Sequence, residues 1–215
     1  MTKIKIRLWY TLPTAGYLRE AVLSSLSDTM ETYSESVEEG DEENFNELLK
    51  DIISRAFEYD MVRYGLKIGD IELIAPAIGN LIDFFEDVAW SILYARKGRK
   101  GILDLSNLPL EVNPLRGMDL ERSLFYTDSL KLLFGTFEPI RTLLFHKRGD
   151  ILEITSLDKM LKINVNAGEY ADVLEKDILR AVRDVERIVE MFSPLKSLRP
   201  RIQWIKAVIK YSHME

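Results

Sequence analysis

Two kinds of hydrophobic spacing divide this chain, and the order in which they occur limits the folds it can adopt. Between Gly101 and about Val165 the apolar residues form short runs separated by turn residues, which is typical of an antiparallel meander. Before and after this stretch, apolar residues recur every three to four positions, as in helices that bury one face. Because strands and helices come in blocks, without a regular strand–helix–strand alternation, the sequence predicts an α+β fold. We expect an antiparallel β-meander of roughly five to seven strands packed against three or four long helices.

The helical spacing indicates where the long helices begin and end. The first is predicted to run from about Phe45 to Tyr64, where Gly65 is placed to end it in the left-handed conformation. The second begins at Pro76, a residue type favoured in the first turn of a helix, and ends at Gly98. The third spans Ala167 to Phe192.

The third helix carries two polar patterns. Asn166 and Glu169 have the spacing of a capping box at its start. Its polar face repeats charged residues at steps of four: Asp172, Lys176, Arg180 and Asp184. Opposite charges at this spacing pair along a helix and stabilise it by only about 0.2–0.5 kcal/mol each, so we interpret this ladder as structural support.

Alternating side chains and turn residues predict strands and hairpins. Near the N-terminus, Lys5 and Arg7 alternate with Ile6 and Leu8, which is the pattern of a half-buried strand. The pair Gly69-Asp70 lies between two apolar pairs and predicts a tight hairpin. Arg148-Gly149 predicts a second turn, between the runs that contain His146 and Glu153.

The domain organisation is predicted to be simple. No stretch rich in glycine, serine and proline separates the helical first half from the strand-rich middle, so we expect residues 1–215 to form a single α+β domain. Two segments differ from the rest by charge, namely an acidic loop at 31–44 and a short basic C-terminal helix at 200–211.

Composition excludes several kinds of site. The chain has no cysteine, which excludes disulfides, thiolate metal sites, iron–sulfur clusters and cysteine nucleophiles, and fits a reducing compartment. The N-terminus has no apolar run of the kind found in a signal peptide. No run approaches the ~20 apolar residues that a membrane span needs, so we expect a cytoplasmic protein without a membrane partner.

Charge is distributed unevenly along the chain. The net charge of −6 argues against a general nucleic-acid binder, because neutralising phosphates requires a basic face. Glu31 to Glu47 contains eight acidic residues and no basic one, whereas Lys196 to Lys210 contains five basic residues and no acidic one. Two surfaces of opposite charge would steer a charged partner. The plainer alternative is that both segments are solvated faces.

The catalytic candidates are weak. His146 lies close to the predicted turn at Arg148-Gly149, and Asp150 or Glu153 can orient its ring, but no nucleophile accompanies them in sequence. We interpret His146 as a strand residue facing solvent. His213 lies close to the C-terminus and is predicted to be frayed. Because the sequence has no His-x-x-x-His spacing and no phosphate-binding glycine loop, neither a metal nor a cofactor is expected.

The leading interpretation is a non-enzymatic intracellular protein-interaction module, immunity- or antitoxin-like by analogy only. The terminal helix is predicted to hide its apolar stripe on its own core or on a second subunit, and in the latter case Trp204 would anchor a homodimer. The alternatives are an enzyme using acidic side chains or His146, and contact with an anion or nucleic acid through the basic C-terminus. The candidate partner-binding residues are Trp204, Arg199, Arg201, Lys206, Glu38, Glu39 and Glu42.

Overall fold

A computed structural model describes residues 4–12, 14, 16–20, 23–24, 63–74, 81–98, 129–134, 141–156 and 161–214. The strands in these parts are β1 (Ile6–Tyr10), β2 (Tyr64–Ile68), β3 (Ile71–Ile74), β4 (Leu130–Phe134), β5 (Arg141–Arg148), β6 (Ile151–Ser156) and β7 (Lys162–Asn166). The helices are α1 (Leu81–Lys97), α2 (Ala167–Met191) and α3 (Arg199–Tyr211), with a short 3-10 helix at Ser193–Leu198 between the last two. Residues 16–20 and 23–24 are also helical.

The described strands form two antiparallel sheets. Sheet 1 has the order β1-β2-β3, and sheet 2 has the order β4-β5-β6-β7. An α+β fold is thus confirmed, but a single meander of five to seven strands is not. The N-terminal strand pairs with the β2–β3 hairpin, with Ile6 opposite Ile68, instead of extending the later meander. The three or four long helices are likewise not confirmed, since α3 has 13 residues against 17 in α1 and 25 in α2.

The predicted end of the first helix is wrong. Tyr64 and Gly65 belong to β2, where they lie opposite Tyr10 and Trp9 of β1. A glycine inside a strand has no side chain to pack, and a large aromatic residue on the neighbouring strand can cover it. The pairing of Trp9 with Gly65 places these residues in a sheet although the local spacing favoured a helix. Arg63, directly before β2, is not helical either. Residues 45–62 of that predicted helix lie outside the described residues, as do the start of the second helix at Pro76, the acidic segment 31–44 and the runs between 101 and 128.

Both predicted hairpin turns are confirmed. Gly69 and Gly149 each adopt a positive φ, 63° and 58°, in the turns that join β2 to β3 and β5 to β6. Side chains with a Cβ rarely adopt this conformation, which explains a glycine at both turns.

The helix ends also follow the sequence pattern. Helix α1 stops at Lys97, and Gly98 follows with a φ of 64° and donates its N–H to the carbonyl of Tyr94 at 2.7 Å. The Lys147 ammonium donates to the Arg96 carbonyl, where the helix dipole favours a cation. At the start of α2, Asn166 is the N-cap, and its side chain accepts the N–H of Glu169 at 2.9 Å.

The core is one cluster of buried apolar side chains drawn from both sheets and all three helices. Helix α1 lies at its centre, in contact with α2, α3, β4 and β5. In the parts of the chain that the structure describes, no helix is long and apolar enough to cross a membrane.

Candidate interaction surface

The face of α2 that points away from the core carries a row of cations. These are Lys176, Arg180, Arg183 and Arg187, separated by four, three and four residues. At 3.6 residues per turn they fall within an arc of about 60° and extend over about 16 Å of the helix. We call these four residues the basic stripe.

Most of the basic stripe has no counter-charge among the residues that the structure describes. Lys176, Arg180 and Arg183 are exposed, and none of them makes a hydrogen bond or an ion pair with another described residue. Arg187, whose side chain is 79% exposed, reaches Asp184 at 3.4 Å. Three cations on successive turns therefore face solvent together.

Asp172 and Asp184 do not pair with Lys176 and Arg180, so the predicted ladder along the helix is wrong. Asp172 accepts a hydrogen bond from Arg96 of α1 at 2.8 Å. Asp184 accepts one from the Tyr10 hydroxyl at 2.6 Å. Asp177 accepts the backbone N–H of Leu8 at 3.2 Å. These contacts turn the carboxylates towards α1 and β1.

The contact with Asp184 changes the pKa of the Tyr10 phenol. Burial, together with the hydrogen bond to the Asp184 carboxylate and its negative charge, raises the pKa of Tyr10 to about 12. Tyr10 therefore stays neutral at ordinary pH and remains a hydrogen-bond donor to Asp184.

One apolar residue continues the basic stripe. Met191 follows Arg187 by four residues, so it lies on the same side of α2, and it is 58% exposed. The surface therefore combines three arginines with a methionine, and both residue types are enriched at protein interfaces.

The three candidate cations of the C-terminal helix differ from those of the basic stripe, because each is neutralised within the chain. Arg199 pairs with Glu190 at 2.7 Å, and Lys206 pairs with Glu186 at 2.5 Å. Arg201 binds Glu86 at 2.8 Å and also contacts Asp83. Burial raises the pKa of the Glu86 carboxyl, and the guanidinium of Arg201 opposes that effect.

Trp204 is buried. It is 1% exposed and packs against Trp90 of α1 with ring centroids 6.2 Å apart. Ile202, Ile205, Val208 and Ile209 of the same stripe are buried with it. Helix α3 therefore hides its apolar side on the chain's own core, so a second subunit is not needed to cover it. The remaining partner candidates, Glu38, Glu39 and Glu42, lie outside the described residues.

The structure brings His146 next to one of its two proposed carboxylate partners. His146 on β5 lies directly opposite Glu153 on β6, and both are partly exposed. Glu153 forms an ion pair with Lys162 at 2.9 Å, and the hydrogen bond from Lys162 lowers the pKa of Glu153. Asp150 lies in the turn after β5. Within the described parts of the chain, neither carboxylate is hydrogen-bonded to the His146 ring.

The prediction that His213 is frayed is wrong. Its Nε2 lies 2.9 Å from the Glu175 carboxylate and 2.8 Å from Arg96 Nη1. Arg96 also donates to Glu175 at 2.5 Å and to Ser212 at 2.8 Å. Burial disfavours the charged form of Glu175, but the hydrogen bonds from His213 and Arg96 outweigh it and lower the pKa of Glu175. This cluster fastens the C-terminal end of the chain to α1 and α2.

No group of three side chains among the described residues is arranged to hold a metal ion. The chain matches no protein-family model, no curated protein and no solved structure. The functional hypothesis therefore depends on the surface itself.

Proposed function

We propose that this chain is a non-catalytic protein-interaction module and that the basic stripe on α2 is its contact surface. The observation that carries the proposal is the set of three exposed cations, Lys176, Arg180 and Arg183, without counter-charge among the described residues. The cations of α3 support it by contrast, because they are neutralised by acids of α1 and α2.

The energetics of the free protein support a binding role. Like charges three or four residues apart on a helix destabilise it by about 0.2–0.5 kcal/mol per pair. The basic stripe contains three such neighbouring pairs, from Lys176 to Arg187, and Arg187 is the one member that contacts an acid among the described residues, Asp184 at 3.4 Å. An acidic partner would replace this repulsion with attraction and would be steered to the surface by the same charges.

The test is charge reversal on the full chain. In the variant Lys176→Glu/Arg180→Glu/Arg183→Glu, we expect affinity for fluorescent poly-L-glutamate, measured by anisotropy at low salt, to fall by at least about tenfold. The matched control is Lys67→Glu/Lys196→Glu/Lys210→Glu, which makes the same change in net charge at three other exposed lysines. We expect that control to weaken binding by less than about threefold. Equal losses in the two variants would mean that net charge alone governs binding, and the proposal would fail.

An enzyme is the second candidate, and the pairing of His146 with Glu153 across β5 and β6 is the observation that favours it. A carboxylate beside an imidazole can orient it as a general base. Hydrolysis of p-nitrophenyl acetate by the intact protein and by His146→Gln separates the two functions. Under the interaction proposal both proteins show only the slow reaction of exposed histidine and lysine side chains with the ester, at similar rates, whereas a rate that falls about 100-fold in the variant would favour the enzyme.

Contact with nucleic acid through the basic C-terminus has less support. Arg199, Arg201 and Lys206 would each have to leave an intramolecular partner before binding a phosphate. Lys176, Arg180 and Arg183 of α2 have no such partner among the described residues, so their binding carries no such cost.

A further inference from the structure

We infer that the partner of the basic stripe is an acidic helical polypeptide segment with an apolar side chain next to its carboxylates, and not a nucleic acid. This inference rests on the proposed function and specifies the chemistry of the partner. Three features of α2 carry it: the exposed Met191, the acidic residues at both ends of the stripe, and the spacing of the cations.

Met191 gives the surface an apolar end. It lies one turn beyond Arg187, about 6 Å further along the helix axis, and it is 58% exposed. A phosphate backbone offers no apolar group to cover this side chain, whereas a peptide with a leucine or phenylalanine beside its acids does. Methionine side chains adapt to varied apolar partners, which suits a recognition surface.

The basic stripe is bounded by acids. Asp172, with a side chain 74% exposed, precedes Lys176 by one turn, and Glu190, 65% exposed, is adjacent to Met191. Duplex DNA carries one negative charge per ~1.7 Å of its axis and continues past both ends of a 16 Å surface. Its phosphates would then approach Asp172 and Glu190, and would have to compete with these carboxylates for the cations that each already holds, Arg96 and Arg199. A peptide with three or four carboxylates ends before it reaches them.

The spacing of the cations favours a helical partner. Four residues over about 16 Å are on average about 5.5 Å apart along the axis. Side chains on one face of a helix are about 5–6 Å apart at three- or four-residue steps, whereas side chains on one face of a strand are about 6.7 Å apart. A helix with acids at the same four-three-four spacing therefore matches the basic stripe in register.

The experiment uses three fluorescent probes with the full chain. The first is a helical peptide with glutamates at four-three-four spacing and a leucine four residues beyond the last one. The second replaces that leucine with serine. The third is a duplex DNA whose phosphates are at least as numerous as the peptide's glutamates. We expect the leucine peptide to bind about fivefold more tightly than the serine peptide, and at least about tenfold more tightly than the DNA.

Met191→Ser should remove the preference for the leucine peptide. Met214→Ser is the matched control, because Met214 is 55% exposed at the C-terminus, and it should keep the preference. Equal binding of the two peptides by the unmodified chain, a preference that survives in Met191→Ser, or DNA that binds as tightly as the leucine peptide would overturn the inference.

The two proposals fail separately. If the charge-reversal variant loses peptide binding but the leucine makes no difference, the interaction surface stands and the inferred apolar contact is wrong. If charge reversal on α2 has no more effect than the lysine control, the surface itself is wrong, whatever the peptide preference.

Discussion

The hydroxyl of Tyr10 donates a 2.6 Å hydrogen bond to Asp184 and thereby ties strand β1 to helix α2. The same contact affects the electrostatics of the adjacent face of the helix, which carries the basic stripe. Asp184 has the spacing at which opposite charges pair on a helix with Arg180 and with Arg187, and one of its oxygens lies 3.4 Å from Arg187, but the other is held by Tyr10. The surface that we propose for binding is therefore maintained by a contact on an adjacent face of the helix.

Replacing Tyr10 with phenylalanine tests this contact. We expect Tyr10→Phe to lower the free energy of unfolding by about 1 kcal/mol at pH 7, because the hydrogen bond is lost and the ring is retained. The pKa of Tyr10 is raised in the folded protein, so its contribution is complete below pH ~10 and is lost as the pH rises towards 12. Urea unfolding between pH 8 and 11 should therefore show the difference between the two proteins shrinking at the alkaline end. Tyr17→Phe, at a partly exposed position, is the control. A difference that stays constant with pH would contradict the assignment.

We expect the contribution of Glu175 to the free energy of unfolding to depend on pH in the acid range. Its pKa is lowered in the folded protein, so its contribution to stability is present above pH ~4.5 and is lost as the pH falls through the lower folded value. We expect Glu175→Gln to lower the free energy of unfolding by about 1–3 kcal/mol at pH 7, because Arg96 and His213 lose a charged partner. Denaturant unfolding from pH 7 down to pH 3.5 should show this loss shrinking once the pH is below about 4.5. Glu190→Gln, in a more exposed ion pair, should change stability by less than about 0.5 kcal/mol.

The buried hydroxyls of Ser91 and Tyr170 predict an asymmetric double-mutant cycle. Ser91 donates to the Val88 carbonyl at 2.7 Å, so the 2.9 Å bond between the two hydroxyls is donated by Tyr170. Ser91→Ala leaves a fully buried phenol without an acceptor and should cost about 1–3 kcal/mol, whereas Tyr170→Phe should cost about 1 kcal/mol. The double variant should lose less than the sum of the two single changes. Additive losses in chemical denaturation would show that the hydroxyls are not coupled.

Trp204 should behave as a core residue. Trp204→Ala is expected to lower the free energy of unfolding by about 3–5 kcal/mol, because it opens a cavity beside Trp90. Leu23→Ala, at a site that is 66% exposed, should change stability by less than about 0.5 kcal/mol. Light scattering accompanies the unfolding measurements. A well-folded Trp204→Ala protein that merely dissociates from a dimer to a monomer would instead show that Trp204 anchors an interface.

The sequence predicted those parts of the fold that depend on a few neighbouring residues, namely turns and a helix cap. The turns at Gly69 and Gly149 and the cap at Asn166 each depend on a few neighbouring residues, and all three were predicted correctly. The start of β2 at Tyr64 was not, because its strand conformation depends on pairing with Tyr10, far away in sequence. The apolar spacing near Tyr64 favoured a helix, but pairing with β1 places this segment in a strand.

The sequence alone did not identify the basic stripe, because acidic residues on the same helix have the spacing of ion-pair partners. Lys176 and Arg180 were interpreted as partners of Asp172 and Asp184, since the spacing allows it. Only the fold reveals that Arg96 and Tyr10 occupy those carboxylates. Arg183 and Arg187, which continue the cations at steps of three and four, are the signal that could have pointed to this face. In the same way, the cations of α3 looked free because their acidic partners lie on α1 and α2.

The hydrogen bond from the Leu8 backbone to Asp177 has a consequence for aggregation. Among the described strands, β1 has β2 as its single neighbour, and an uncovered strand edge is a template for pairing with another molecule. Helix α2 blocks that edge, with Asp177 occupying an N–H that a foreign strand would otherwise bind. If α2 detaches, the edge of β1 and the apolar side of α2 are therefore exposed at the same time. We therefore expect aggregation to begin from a state that has lost this helix and kept its sheet, and we expect a ligand that holds α2 in place to slow precipitation on storage.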